Sequence, residues 1–450
     1  MHSKPTFKEI LKIAIPLMIG GMSESISSIV DTAFMGHLGH IEMDSMGITN
    51  VFLLLLIMIG WACSRGVQVM ISQNYGANQK ENIGTIMDHG FYFTVPLSIL
   101  IGFILYFNSR FLLSTIIDHP KILDTSVAIC QIRAIGFPFL LSTMILSSFF
   151  IGIGQTRIIL ISQVTAAIVN IILNYILVFG KMGFAPMGYE GSAMATVWSE
   201  IIAILIFIVA FLINNKYIKE YFLFRFKRIN FKIIKEIATL ATPLATQYFF
   251  SIGAWVLFFS LIEKMGEREL AISIILKQIF TAIAIPGFCL ATTSNTMVGQ
   301  LVGRRDIERI VPTVIKISNT SFMILSVLSL LTILFRHEVF GLFTTDMLLI
   351  EEAKGSFAML MLAYLFIPYS NVAFNSIIAL GNSKIPMFIE ISVIVIYTIY
   401  MLLTLVWHKG GVMMAWTSEI FYWFLLVLFS VFFFRYTDWR KNIKYYDEKI

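Results

Sequence analysis

This chain is short of charge. Aspartate, glutamate, lysine and arginine make up 13% of its 450 residues, against about 25% in a typical soluble domain, and that shortfall excludes a water-soluble globular fold. Cysteine is scarcer still. Cys63, Cys130 and Cys289 are the three present and all lie in apolar runs, where a thiol behaves as a small hydrophobe, so no disulfide framework is implied. The motifs His-Glu-x-x-His and Gly-x-Ser-x-Gly are absent, which removes the usual catalytic signatures, and an enzyme is not expected. The net charge of +6 invites a nucleic-acid reading. The basic residues, however, are spread over short segments between apolar runs rather than gathered in a domain, so no nucleic-acid partner is expected.

Apolar sequence fills the space these absences leave. The hydrophobic share is 58% and the mean hydropathy +0.83. Windows of about 20 residues, enough to cross roughly 30 Å of hydrocarbon as a helix, recur along nearly the whole chain. They are too long for tilted barrel strands, so the fold class is an all-α integral membrane protein. Spans are expected near 12–36, 47–75, 86–107, 124–150, 158–179, 190–213, 236–262, 272–300, 312–334, 350–378, 386–407 and 412–434, about twelve transmembrane helices. The basic-then-apolar start resembles a signal peptide, yet Glu24 and Asp31 interrupt the run and no small-residue cleavage site follows, so it is read as a span. With the N-terminus inside, the inner segments, from Lys4 through Lys227 to Lys449, carry twenty-one Lys and Arg and the outer ones eight. The positive-inside rule then places both termini in the cytoplasm.

The chain also repeats itself. A shift of 227 positions superposes Pro16 on Pro243, Gly39 on Gly266, Gln73 on Gln300, Gly76 on Gly303 and Gly154 on Gly381, and Ser199-Glu200-Ile201 recurs as Ser418-Glu419-Ile420 after a short deletion. Matched Pro, Gly and Gln at one constant offset exceed a shared hydropathy rhythm, so the halves are read as a duplication. A unit of six spans ends on the side where it began. The copies are therefore expected to be two parallel six-helix bundles about an axis along the membrane normal, an arrangement of transporters, with substrate passing through the cleft between them. The expected domains are an N-terminal bundle over 1–213, a basic linker over 214–235, and a C-terminal bundle with a basic tail over 236–450.

Two carboxylates stand inside the first span, where each costs at least about 2.5–3.5 kcal/mol near the bilayer centre. Glu24 and Asp31 are seven residues apart, almost two turns, and share a face. Asp31 lies about 28 Å beyond Lys12 along the helix, nearer the outer surface, and Glu24 is closer to mid-membrane. Protons and Na⁺ compete for such a group, because either supplies the missing positive charge. The 227 shift puts Ser251 opposite Glu24 and Phe258 opposite Asp31, so the acidic pair, and ion coupling with it, is expected in the first half only. Glu200 and Glu419 occur in both copies, which favours a scaffold role. Lys277, near the start of its span, is expected to snorkel or to pair with an acid. Glu200 and Lys277 are the two candidates for a substrate cavity. His37 and His40, beside Glu42 and Asp44 in an outer loop, are not read as a metal site.

The run Val30-Asp31-Thr32-Ala33-Phe34-Met35-Gly36-His37-Leu38-Gly39 follows Pro16, and Gln73-Asn74-Tyr75-Gly76-Ala77 closes the second span. Further on come Gly152-Ile153-Gly154-Gln155-Thr156, Asn170-Ile171-Ile172-Leu173-Asn174 and Gly191-Ser192-Ala193-Met194-Ala195-Thr196. Together these motifs resemble the multidrug and toxic compound extrusion (MATE) transporters over almost the full chain. The resemblance implies a two-bundle antiporter that exports small organic, often cationic, compounds against inward flow of Na⁺ or H⁺, with no cofactor besides that coupling ion. Its place would be the cytoplasmic (inner) membrane of a prokaryote, in contact with membrane lipid, and a monomer is expected.

Carried over residue by residue, the family's cation site falls on Asp31, Asn170, Asn174 and Thr196, where Na⁺ would sit. Many prokaryotic members, particularly the DinF-like branch, have an Asp where this chain has Asn174. The NorM-like branch carries acids in the seventh and tenth spans, where this chain has Ser251 and about Tyr369, so that second cation site is not expected. Neutral oxygens of Asn170, Asn174 and Thr196 would complete a hard-cation shell or hold a protonated acid. Glu24 matches no family motif and enters on physical grounds alone. The rival reading is a lipid-linked oligosaccharide or precursor flippase of the same superfamily, and only Lys277 leans that way.

Overall fold

The structure, a computed structural model, describes residues 5–226 and 228–446; the basic positions Lys4, Lys227 and Lys449 lie outside the described residues. In hydrocarbon a peptide group cannot turn to water, so each must be satisfied within its own helix. The described chain is helical, with no strand, and the long elements are α1 (Phe7–Leu38), α2 (His40–Gly76), α3 (Lys80–Leu113), α4 (Pro120–Gly152), α5 (Arg157–Phe179), α6 (Gly188–Ile213), α7 (Phe231–Glu263), α8 (Glu267–Gly303), α9 (Ile310–Leu334), α10 (Lys354–Ala363), α11 (Ile367–Ala379), α12 (Lys384–Met401) and α13 (Val412–Tyr436). Among the described residues eleven spans are long and apolar enough to cross a membrane, and the bent pair α10–α11 makes a twelfth. The chain is a multi-pass membrane protein. Most helices begin and end outside the expected windows because polar caps continue the helix after the apolar sequence stops.

The tenth span departs from the expected continuous helix. It bends by 41° between α10 and α11. Pro368 has no N–H to give the Tyr364 carbonyl, so the chain tightens through Leu365 and Phe366, whose N–H groups bond three residues back to Leu362 and Ala363. Short helices cover Lys216–Tyr221 and Arg336–Gly341 outside the expected spans, and Met347–Glu352 at the start of the expected tenth.

Two compact units form. One is Ile15–Thr242; the other is Pro243–Tyr446 together with the described residues up to Ala14. The divisions fall inside α1 and α7, beside Pro16 and Pro243. The repeat is written into the backbone as well. Gly39 and Gly266 precede α2 and α8 at φ 157° and 151°, Asn78 and Arg305 take φ 58° and 60°, and Gly154 and Gly381 take φ 75° and 87°. At Gly39 and Gly266 the helix-entry turn favours glycine because φ 157° and 151° are values that side-chain-bearing residues rarely adopt.

In the first unit, Leu53, Leu105, Cys130, Phe137 and Leu141 pack α2, α3 and α4 into one apolar core. The basic linker is pinned to this unit. Tyr217 and Tyr221 of the short helix pack on Phe149, Lys80 pairs with Glu220 at 2.7 Å, and the N–H groups of Phe226 and Asn230 donate to Asp88 and His89 of α3, each at 2.8 Å.

A glycine held at φ 151° should not accept a side chain without strain. Gly266→Ala is expected to destabilise the protein by about 1–3 kcal/mol, seen as a lower melting temperature in detergent. Gly253→Ala, a helical site with nothing within 4 Å of an added Cβ, should leave the melting temperature unchanged or raise it.

Candidate functional site

The first unit gathers its polar residues along the facing sides of α1, α5 and α6. Asp31 accepts a hydrogen bond from Asn174 Nδ2 at 2.8 Å, and one turn below, Ser27 donates to Asn170 Oδ1 at 2.7 Å. Both rungs join residues 143 apart. A constant difference means that α1 and α5 run in the same direction, as odd-numbered spans must. Asn170 Nδ2 donates to Thr196 Oγ1 at 3.4 Å, which brings in α6, and Thr196 itself donates to the Ser192 carbonyl at 3.1 Å. Asn174 Nδ2 also reaches the Asn170 carbonyl at 3.1 Å. That second acceptor holds the amide with its nitrogen toward Asp31.

The four residues of the expected cation site are thus together: Asp31, Asn170, Asn174 and Thr196 form one hydrogen-bonded cluster. Its spare acceptors suit a hard cation. Asn174 Oδ1 and Ser192 Oγ are buried without a hydrogen-bond partner among the described residues, and carbonyl, hydroxyl and carboxylate oxygens are what Na⁺ would use. The same carboxylate would take a proton without help from the others.

Glu24 stands apart from that cluster. It has no hydrogen bond or ion pair among the described residues, presents an exposed surface, and lies within electrostatic reach of Glu200 on α6. Glu200 is 3.2 Å from a guanidinium nitrogen of Arg133 on α4. Arg133 stands in none of the motifs that carry the family resemblance. An arginine inside a span is nonetheless a signal in its own right.

Of the two outcomes expected for Lys277, an acid partner is not found among the described residues; the residue is exposed, and its ammonium lies over the rings of Phe259 and Trp255, at 5.1 Å and 5.8 Å from their centroids. A cation–π contact supplies the partner that an acid would have supplied.

Carboxylates are not confined to the first half either. Glu390 of α12 is 4% exposed and accepts from Ser251 Oγ at 2.8 Å and from the Tyr422 hydroxyl; Glu419 of α13 is 2% exposed and accepts from Tyr397 at 3.2 Å. Glu419 also lines a cavity of about 10 Å³ with Ser251, Tyr397 and Tyr422. The 227 shift shows why sequence reasoning missed Glu390. It corresponds to Gln163, as Ser251 corresponds to Glu24, so each copy keeps an acid at this level but on different helices. Comparing only the first span of each half finds a loss where there is an exchange.

The MatE family model matches the chain twice, over residues 16–176 and 243–403. The chain belongs to the MatE family. The two matches are offset by the same 227 positions as the repeat. Among similar MatE relatives are the multidrug resistance protein MdtK of Photorhabdus laumondii, 27% identical over 311 residues, and the probable multidrug resistance protein NorM of Thermotoga maritima, 24% identical over 459 residues. The alignments cover 67% of this chain and 66% of the first relative, and 97% and 93% for the second. A solved outward-facing multidrug resistance MATE family transporter of the MOP superfamily superposes with a TM-score of 0.87 at 17% identity, over 98% of this chain and 97% of the other. A MOP superfamily transporter from Pyrococcus furiosus gives the same values. The chain is a MATE family transporter and not an enzyme.

The Glu390 site yields a stability test. Tyr422→Phe removes one donor from a buried carboxylate and is expected to cost about 1.5–3 kcal/mol, read as a lower melting temperature. Tyr436→Phe, at an exposed tyrosine, should leave it unchanged.

Proposed function

We propose that this MATE transporter is a secondary multidrug exporter. It moves small organic, often cationic, compounds out of the cell by alternating access, against inward flow of Na⁺ or H⁺ through Asp31. The carrying observation is the Asp31–Asn174 hydrogen bond, inside a cluster completed by Asn170 and Thr196. It leaves one carboxylate, with spare neutral oxygens around it, as the place where a monovalent cation is taken up and released. Support for the substrate class comes from the relatives named as multidrug resistance proteins. The halves 1–213 and 236–450, joined by the linker, are the working bundles of a monomer in a prokaryotic inner membrane, with both termini cytoplasmic. Asn174 in place of an Asp leaves Asp31 as the one acid of the cluster, and Glu24 is its helper on the same helix face. The flippase reading leaned on Lys277 alone, whereas the relatives named as multidrug resistance proteins support export.

The test is efflux of ethidium from proteoliposomes under imposed Na⁺ or pH gradients. The parent is expected to respond to one of them, and Asp31→Asn to fall to the level of vesicles without protein. Full gradient-driven efflux by Asp31→Asn would sink the coupling role. Glu24→Gln is expected to displace the pH or Na⁺ dependence while leaving efflux measurable.

A further inference from the structure

Three phenylalanines of the linker stand in strained backbone. Phe222, Phe224 and Phe226 take φ 55°, 56° and 44°, the left-handed region that a bulky side chain enters only when its surroundings hold it there. Here the surroundings are α3 and α6. The Phe224 ring packs on Phe91 and Phe211, with centroids 6.3 Å and 5.2 Å away, and the Phe226 ring on Tyr92 at 5.9 Å. The backbone is held as well. Asp88 Oδ2 accepts from the Phe226 N–H and His89 Nε2 from the Asn230 N–H, each at 2.8 Å, and the two side chains are 2% and 1% exposed.

The partners of His89 decide its protonation. Nδ1 lies 2.7 Å from the Thr85 carbonyl, which can only accept, and Nε2 faces the Asn230 N–H, which can only donate. One form of the ring meets both: the neutral imidazole with its proton on Nδ1. A second proton would sit on Nε2 and point at the N–H already there. Asn230 is also the N-cap of α7, its carbonyl accepting from Ile233 and Ile234 and its side-chain Oδ1 from the Lys232 N–H at 3.0 Å. A charged imidazole would therefore also meet the positive end of that helix.

The charged and titratable groups near the ring offer no substitute. Its own helix has Lys80, Glu81, Asp88 and Tyr92, the last with its ring centroid 5.5 Å away. The linker and the first turn of α7 have Arg225, Arg228 and Lys232, and the short helix Lys216–Tyr221 has Glu220, paired with Lys80, between basic residues and tyrosines. The second half of α2 has Cys63, Arg65 and Tyr75, and α4 has none between Arg133 and Gly152. Asp88, the acid beside the ring, is engaged by the linker itself.

We propose that Asp88 and His89 form a proton-released latch on the linker. The neutral imidazole holds the end of the linker and the start of α7 against α3; its protonation frees Asn230 and lets the strained phenylalanines relax. The direction follows from the donors. The latch is closed above the usual histidine range, about pH 6.5, and is lost as the pH falls through it. What it grips is the helix that carries the chain from one compact unit into the other at Pro243. The Asp31 cluster is built from α1, α5 and α6, so the latch senses protons apart from it.

The experiment is hydrogen–deuterium exchange of the full chain in detergent, read by mass spectrometry on peptides that contain Phe226 and Asn230 and corrected for the intrinsic effect of pH. In the parent, exchange there should be slow at about pH 8 and rise by up to roughly tenfold per pH unit below about pH 6.5. His89→Gln keeps an acceptor at similar reach but cannot gain a proton, so its exchange should stay slow throughout. His89→Ala should exchange fast at every pH. A merely structural contact would leave the parent slow across the whole range, and that result overturns the latch. So does a pH response that persists in His89→Gln, which assigns the titration to another group, or one that Asp31→Asn abolishes, which assigns it to the coupling site. Should a His89 variant not fold, the profile of the parent still decides.

Discussion

A charge among apolar helices finds its partner on a neighbouring helix, because lipid supplies none. The polar architecture of Ile15–Thr242 follows from that requirement. Asp31 is met by Asn174, Glu200 by Arg133, and the amides between them by Ser27 and Thr196. These contacts tie α1, α4, α5 and α6 to one another at the level where the carboxylates sit. Their energy is modest compared with what is lost if one member is removed and its partner left buried and unpaired. A site so constructed suits a cation that comes and goes, since each arrival and departure changes which groups are matched.

The second unit solves the same problem with other residues. Its backbone repeats the first, down to the glycine entering the second helix and the left-handed residue after it. Its buried span acids Glu390 and Glu419 are met, among the described residues, by serine and tyrosine hydroxyls and by no guanidinium. Position 133 corresponds by the 227 shift to Leu360. Duplication has therefore preserved the scaffold while the polar contents diverged, and Arg133 has an apolar residue as its counterpart.

Much of the fold was legible from residues alone. Apolar runs about 20 residues long admit no other spanning structure than a helix, and a 227-residue offset of Pro, Gly and Gln exposes the duplication. The break at Pro368 was less legible: a proline inside a span is compatible with a kink or with a stop, and neighbouring helices decide between them. Of the site, Asp31, Asn170, Asn174 and Thr196 were readable because they sit in recognisable motifs. Arg133 and Glu390 were not, because their meaning lies in partners 67 and 139 residues away.

The sequence by itself determined that this is a twice-repeated helical membrane protein with acids at depth in its first span, since hydropathy, periodicity and the cost of an intramembrane charge are local properties. Tertiary structure alone decided how those acids are matched: Asp31 by an amide, Glu200 by a guanidinium, Lys277 by aromatic rings rather than by an acid. The physical reason is that compensation is a property of pairs. Which helix faces which, and in what register, is set by the packing of whole spans, and no single stretch of residues carries that information.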